Sequence, residues 1–323
     1  MKLLLSGGTG FFGRAFLDYL KFHFSEHPSI SVCVLTRSPG RFLDLYPRFK
    51  SLPWLSLYEC DLLDPSSLPR GRQFTHVIHA ATEATLSSSI DYKRHYFEII
   101  DSARSILELA VRSDVSRFLM ISSGAAYGPQ PLTMKKICET WNGSPFLPLA
   151  SSAYGLGKRA AEHMCALYHD SHGLDYSIAR CFAFVGPDLP LNAHYAIGNF
   201  ISDALSGRDI IVNGDGTPLR SYLYQADLAH WLYTLLLRGR DEEVYNVGSD
   251  VTISVGDLAE LICSLIDPGL KVHIRGGATG ANSSVNYIPD VSKVLGEFGL
   301  RAETSLREAI LLTADRHRSA LAV

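Results

Sequence analysis

Three things are scarce in this chain. No apolar run approaches the ~18 residues that a spanning helix needs, so a membrane segment is not expected. No block of like charge stands out either: 30 Lys and Arg and 33 Asp and Glu are interspersed and leave a net charge of -3. That balance gives no electrostatic footprint for nucleic acid or an anionic membrane and points to small-molecule partners. The six cysteines, Cys33, Cys60, Cys138, Cys165, Cys181 and Cys263, contain no CxxC pair and no regular framework. Reduced, mostly buried thiols are therefore expected, in keeping with a cytoplasmic location. Internal repeats and low-complexity tracts are absent as well. The opening Met1-Lys2-Leu3-Leu4-Leu5 has the look of a secretory leader, but glycines at 7, 8, 10 and 13 interrupt it and no cleavage site follows. It reads as a first strand.

What is present is an alternation. Apolar, β-branched runs at 2–6, 30–36, 56–60, 75–80, 117–122 and 175–181 are separated by helical periodicity at 12–25, 90–113 and 152–172. Continuous apolar strands of this kind belong to a parallel sheet covered on both faces. The expected fold class is α/β, a Rossmann-type doubly wound parallel sheet. After Pro187 the rhythm changes to helix-like stretches at 194–206, 253–265 and 303–315 with short strands at 209–213 and 271–275. These predict a smaller α/β substrate-binding lobe. The expected division is 1–183 plus about 220–249 for the dinucleotide domain, and about 184–219 plus 250–323 for the lobe. A loop at 128–150 should lie over the carboxyl edge of the sheet, where ligands of open α/β folds bind.

Gly7-Gly-Thr-Gly-Phe-Phe-Gly13 follows the first strand and opens a helix, the context that a dinucleotide fingerprint requires. Gly7, Gly10 and Gly13 permit a tight turn, a close pyrophosphate approach and close helix packing. At the end of the second strand, Val34-Leu-Thr-Arg-Ser38 holds no acid to grip the 2′-hydroxyl of NAD. Arg37, with Ser38 and Arg41 nearby, favours the 2′-phosphate of NADP(H) instead, with NAD(H) as the alternative. The competing reading of Arg37 is a solvated arginine at a strand end. Asp61 could accept from an adenine amino group or could simply form the turn in Asp61-Leu-Leu-Asp64. Phe11 and Phe12 could touch the cofactor or pack the first turn.

Tyr154 and Lys158 sit four apart on the expected helix 152–172, on one face, where an ammonium could favour the phenolate of a tyrosine. The strand before that helix delivers Ser122 and Ser123 to the same sheet edge. His169 and His172, spaced i, i+3, lack a convincing further ligand, so no metal site is expected. His79, on an apolar strand, reads as a satisfied core residue.

The order of strand-1 glycines, strand-5 serine and Tyr-x-x-x-Lys resembles the extended short-chain dehydrogenase/reductase family, in its NAD-dependent epimerase/dehydratase branch. Further matching segments are Val77-Ile-His-Ala-Ala81, Arg180-Cys-Phe-Ala-Phe-Val-Gly-Pro187, Gly214-Asp-Gly-Thr-Pro-Leu-Arg-Ser221, Gln225-Ala-Asp-Leu228 and Tyr245-Asn-Val-Gly-Ser249. The resemblance implies an enzyme acting on nucleotide-diphosphate sugars, with homodimers formed through the helices at 90–113 and 152–172. By position it implies Ser123, Tyr154 and Lys158 as catalytic residues, with Lys158 holding the nicotinamide ribose and lowering the Tyr154 pKa. Thr9, Leu62, Ala80, Ala81 and Ser122 would join the glycines, Phe11, Phe12, Arg37 and Asp61 around the cofactor. Thr82, Ser123, Tyr127, Asn192 and Arg220 would meet the substrate, Arg220 through its diphosphate.

Three departures from the family pattern bear on the chemistry. Where sugar-nucleotide dehydratases carry an Asp-Glu pair, this chain has Gly124 and Ala125, which disfavours dehydration. The usual strand-six Asn is replaced by Ala183, and the usual Asn of the helix before strand five is missing near Ile99. The expected activity is NADP(H)-dependent reduction of a nucleotide-linked 4-keto-6-deoxyhexose. The alternatives are an NAD-dependent 4-epimerase and, from another class, a non-catalytic dinucleotide sensor or scaffold.

Overall fold

The structure, a computed structural model, describes residues 1–23, 29–82, 91–191, 193, 195–276 and 286–321. Its strands are β1 (Lys2–Ser6), β2 (Ser31–Thr36), β3 (Leu55–Glu59), β4 (His76–His79), β5 (Arg117–Ser123), β6 (Tyr176–Cys181), β7 (Phe184–Val185), β8 (Ile210–Val212), β9 (Leu219–Ser221), β10 (Leu223–Tyr224), β11 (Glu243–Val247), β12 (Thr252–Ser254) and β13 (Val272–Ile274). The helices are α1 (Phe11–His23), α2 (Pro39–Leu45), α3 (Tyr92–Arg112), α4 (Ala153–His172), α5 (Ala196–Leu205), α6 (Gln225–Arg238), α7 (Val255–Ile266), α8 (Ser292–Phe298) and α9 (Leu306–Leu321). Short 3-10 turns fill in at 47–49, 65–67, 124–127 and 150–152.

Seven strands form one sheet in the order β11-β6-β5-β4-β1-β2-β3, every pair parallel. Successive side chains in β1 feed opposite faces. Leu3 and Leu5 join Phe16, Val34, Trp231 and Leu232 under α1 and α6, while Leu4 joins Val77, Ile106, Phe118 and Cys165 under α3 and α4. Burial on both faces explains why the inner strands read as unbroken apolar runs. At the sheet's edge, β3 is only partly covered.

A third apolar cluster, with Val185, Ile197, Ile201, Ile210, Leu258, Ile262 and Ile310, gathers α5, α7, α9 and the short strands around them. The segment read as returning to the main sheet does so through β11, and α6 precedes it. All six cysteines are free, and Cys138 alone of them is not buried. Among the described residues no helix is long and apolar enough to cross a membrane.

This topology fixes the site. The strand order reverses beside β1, so the turns after β1 and β4 open a crevice at the carboxyl edge, where open α/β sheets take their ligands. The ends of β5 and β6 and the first turn of α4 border the same edge.

Candidate active site

The turn after β1 is built for close approach. Gly7 has φ +75°, and a Cβ there would lie 2.4 Å from the carbonyl carbon and oxygen of Ala80. A Cβ on Gly13 would fall 2.2 Å from the Cα of Gly8, so α1 can begin tight against the turn only with glycine there. Gly10 closes the turn by donating its N–H to the Gly7 carbonyl (3.0 Å). Such a cradle of backbone at a helix N-terminus fits the pyrophosphate of a dinucleotide. Gly7→Ala should therefore lower thermal stability by about 1–3 kcal/mol, the cost of a side chain in a left-handed conformation against fixed backbone. It should also weaken dinucleotide affinity by at least ~10-fold, because the strained turn would move its N–H groups; thermal unfolding and a fluorescence titration check the two effects.

The turn is braced from behind. The Arg14 guanidinium donates to the Thr9 carbonyl (2.6 Å) and to the Asp188 carboxylate and carbonyl (3.1 and 2.8 Å). Asp188 also accepts from Arg48 (2.8 Å), which forks onto Asp18 of α1 (3.0 Å). Phe11 and Phe12 meet edge to face and pack against Phe184, with centroids 6.4 and 5.2 Å from its ring. Those contacts account for them as packing residues.

Further along the crevice, Arg37 is exposed just past the end of β2 and forms no ion pair or hydrogen bond among the described residues. Ser38 follows, its N–H on Thr36 Oγ1 (3.3 Å). Asp61, also exposed, takes the turn role: its carboxylate accepts the Leu63 N–H (3.0 Å). Leu62 packs against the α3 and α4 side of the core. Ala80, Ala81 and Thr82 leave β4 beside the Gly7 turn, with the Thr82 N–H on the Ala80 carbonyl (3.1 Å).

At the reaction end, Ser123 closes β5 and caps the 3-10 turn, its Oγ accepting the Ala125 N–H (3.1 Å). Tyr154 stands in the first turn of α4, its phenol near Ser123. Burial pushes that phenol up to about 12, against the downward pull of Ser123; the Tyr195 phenol and the Cys181 thiol add to the rise. The His95 ring stacks on Tyr154 at 5.8 Å.

One turn on, Lys158 is 4 % exposed, and its Nζ donates to Thr82 Oγ1 and the Ile121 carbonyl, both at 2.8 Å. Burial lowers it to about 8, which leaves it largely charged at neutral pH. The side chain turns toward the ends of β4 and β5, and Lys158 is not among the groups that shift the Tyr154 phenol. Thr82, expected at the substrate, is thereby tied to Lys158.

Two expected ligand residues belong to the framework. Tyr127 is 0 % exposed, donates its hydroxyl to Asn246 (2.9 Å) and lies under the Arg180 guanidinium at 4.3 Å, so it presents nothing to a substrate. Ser122 points its hydroxyl away from the crevice, onto Glu162 of α4, which Arg180 grips through Nε and Nη2 (2.9 and 2.6 Å). Arg220, in β9, bridges to Tyr287 and pulls the Tyr222 and Tyr287 phenols down against their burial. Asn192 lies outside the described residues. Ile99 explains the missing Asn of α3, since its side chain packs over Gly157 of α4. His79 is the satisfied core residue expected, bonded to Ser6 Oγ (2.7 Å) and held neutral, burial lowering it to about 3. His169 has two acidic neighbours that its sequence spacing did not disclose, Asp241 and Glu242, each at 3.5 Å.

Sequence reasoning missed Tyr287 altogether. A Cβ on Gly124 would fall 2.5 Å from its hydroxyl oxygen, which places the phenol beside the end of β5. The available signal was Gly124 itself, because a glycine beside a reactive hydroxyl invites the question of what fills its space. Tyr195, just before α5, was missed for the same reason of distance along the chain.

Comparison with known proteins agrees with this geometry. UDP-glucuronic acid decarboxylase 5 of Arabidopsis thaliana is 28% identical over 332 residues, covering 100% of this chain and 91% of the relative. A dTDP-glucose 4,6-dehydratase of Actinoplanes sp. is 27% identical, over 99% of this chain and 98% of its own. Among solved structures, the UDP-glucose 4-epimerase of Thermotoga maritima with UDP-glucose superposes with a TM-score of 0.83 at 24% identity, covering 99% of this chain and 100% of that one. DesIV, a dTDP-glucose 4,6-dehydratase of Streptomyces venezuelae with NAD and TYD bound, gives 0.84 at 24%, over 99% and 97%. The sequence profile of the NAD dependent epimerase/dehydratase family matches residues 3–248, and the chain belongs to that family of the extended short-chain dehydrogenase/reductases.

Proposed function

We propose that this protein is an NADPH-dependent reductase of a nucleotide-linked 4-keto-6-deoxyhexose. The coarser statement, an enzyme that modifies nucleotide-diphosphate sugars, is what its relatives support. The observation that carries the finer one is Arg37. It is exposed at the carboxyl end of β2, uncommitted among the described residues, with no acid from 34 to 38 to hold a 2′-hydroxyl. A reductase consumes its dinucleotide each turn and draws on NADPH, whereas an epimerase keeps and reuses NAD.

When bound, the reduced nicotinamide supplies a hydride to C4. The protein's own residues do the rest. Ser123 orients the carbonyl oxygen, Tyr154 delivers the proton to it as the carbonyl becomes an alcohol, and Lys158 holds the ribose with its remaining donor. Gly124 and Ala125 offer no acid for dehydration, and the Gly124 space is already taken by Tyr287 and Phe182. A homodimer through α3 and α4 belongs to the same reading, with Phe97 and Leu167 exposed on those helices.

The test is loss of NADPH absorbance with a panel of nucleotide 4-ketosugars. Arg37→Ala should raise the KM for NADPH ~10- to 100-fold, the worth of a charge-assisted phosphate contact, and leave that for NADH nearly unchanged. Isomerisation of a nucleotide sugar without added reductant, by protein that carries NAD, would replace this reading with the epimerase.

A further inference from the structure

Lys158 is a buried cation without an anion of its own. Among the described residues its Nζ makes two hydrogen bonds, to Thr82 Oγ1 and to the Ile121 carbonyl, and no ion pair. The acid nearest in sequence, Glu162 one turn along α4, is held by Arg180 (2.9 and 2.6 Å) and Ser122. Ile99 of α3, packed over Gly157, offers no acceptor. A charge taken out of water needs hydrogen bonds in its place, and here two neutral oxygens supply them.

The two acceptors are not alike. The Ile121 carbonyl is backbone of β5 and is there whatever residue follows, whereas the Thr82 oxygen belongs to a side chain. Its position is set by the turn that leaves β4. The Thr82 N–H turns back onto the Ala80 carbonyl (3.1 Å), the Ala80 N–H bonds the Ser6 carbonyl of β1 (3.1 Å), and Ala80 and Ala81 press on Gly7, where a Cβ would meet them at 2.4 and 2.6 Å. Lysine carries its charge on a flexible four-carbon stem. Acceptors at 2.8 Å from the ends of two neighbouring strands triangulate the nitrogen, and of its three protons one is left over. We propose that Thr82 is a positioning residue: its side-chain oxygen, with the Ile121 carbonyl, holds the Lys158 ammonium in place of a carboxylate and leaves its third proton for the dinucleotide ribose.

The same bond bears on charge. Burial lowers Lys158 to about 8, with the Cys181 thiol of β6 and Glu162 of its own helix pulling the other way. Tyr154, one turn back, is protonated, and His79 of β4 is a neutral ring. A hydrogen bond to the charged form favours that form, so removing an acceptor moves Lys158 further down. The contact with a ribose rests on the role given to Lys158 above; the hold of Thr82 on the ammonium does not.

Thr82→Val keeps the shape and removes the oxygen. In protein free of dinucleotide and containing lysine labelled with carbon-13 at Cε, the Lys158 signal, assigned by its loss in Lys158→Met, should ionise with a ~10-fold or more larger acid constant than in the wild type, the scale of a hydrogen bond to a charged group. Thr82→Ala should show the same rise, and Thr82→Ser, which returns the oxygen, should bring the constant back to within ~2-fold of the wild type. By calorimetric titration, Thr82→Val should bind NADP⁺ or NAD⁺ ~3- to 10-fold more weakly at pH 8, with a smaller loss at pH 6, where more of the lysine is charged. An unchanged Lys158 constant in Thr82→Val and Thr82→Ala, or a rise that Thr82→Ser leaves in place, overturns the proposal, because a merely structural threonine would lower the melting temperature without moving that constant. A raised constant with dinucleotide affinity unchanged at pH 8 upholds the hold on the ammonium and overturns the ribose role of Lys158 instead.

Discussion

Tyr154→Phe is expected to cut turnover by at least ~10²-fold, the usual loss when a positioned general acid is removed. Binding of the dinucleotide should change far less, because in the proposed complex the Gly7 turn and Lys158 hold it elsewhere. Burial is the main cause that pushes the phenol up to about 12. It is therefore protonated throughout the neutral range, the state that the proposed reduction requires. Bound oxidised nicotinamide brings positive charge to the site and favours the phenolate, so the relevant pKa in the complex lies lower.

The direction of the pH dependence follows. Reduction uses the protonated phenol, so its rate should be flat at neutral pH and fall as pH rises through the phenol's pKa. Oxidation of the product alcohol uses the phenolate and should rise with pH over a lower range, because the positive charge of the oxidised nicotinamide favours the phenolate in that complex. Steady-state profiles in both directions check this, and both limbs should disappear in Tyr154→Phe. Full retained activity in that variant would remove Tyr154 from the chemistry.

What the sequence disclosed and what it hid divide along one physical line. Features written locally were legible. The unbroken apolar runs marked the buried parallel strands, and periodicity placed the third and fourth helices at 90–113 and 152–172 against the observed Tyr92–Arg112 and Ala153–His172. The glycine turn was legible because a glycine's conformational freedom is a property of that one position. Features that depend on contacts between distant segments were not. Tyr287 fills the space over Gly124 from more than half the chain away, and no periodicity links them. Tyr127, which the family resemblance placed at the substrate, faces Asn246 and Arg180. Lys158 was placed on the right helix face, but its choice of Thr82 and Ile121 as partners depends on where β4 and β5 end. Helix α6 escaped notice because its buried residues are spread around it, Trp231, Leu232, Leu235 and Leu236 among them, which blurs a one-sided pattern.

The same line explains where the largest stability effect should lie. Glu162 and Arg180 form a nearly dry ion pair, their side chains 8% and 11% exposed, between α4 and β6. Ser122 donates to that carboxylate from the strand that carries Ser123, and Arg180 covers the Tyr127 ring. Burial alone would pull the guanidinium below its usual range, but the Glu162 hydrogen bond and charge outweigh it and leave it above. Arg180→Met removes the partner and leaves a buried carboxylate with Ser122 as its remaining donor among these contacts. Breaking a buried pair from one side costs about 3–5 kcal/mol. For a chain of 323 residues that corresponds to a fall in melting temperature of ~4–7 °C, from an unfolding entropy of ~2.1 cal/mol/K per residue. Replacing both partners, Arg180→Met with Glu162→Leu, should recover most of the loss, because no charge is then stranded. Calorimetry on the two variants separates the outcomes: a double variant as unstable as the single one would mean that packing around Tyr127, rather than the stranded carboxylate, sets the cost.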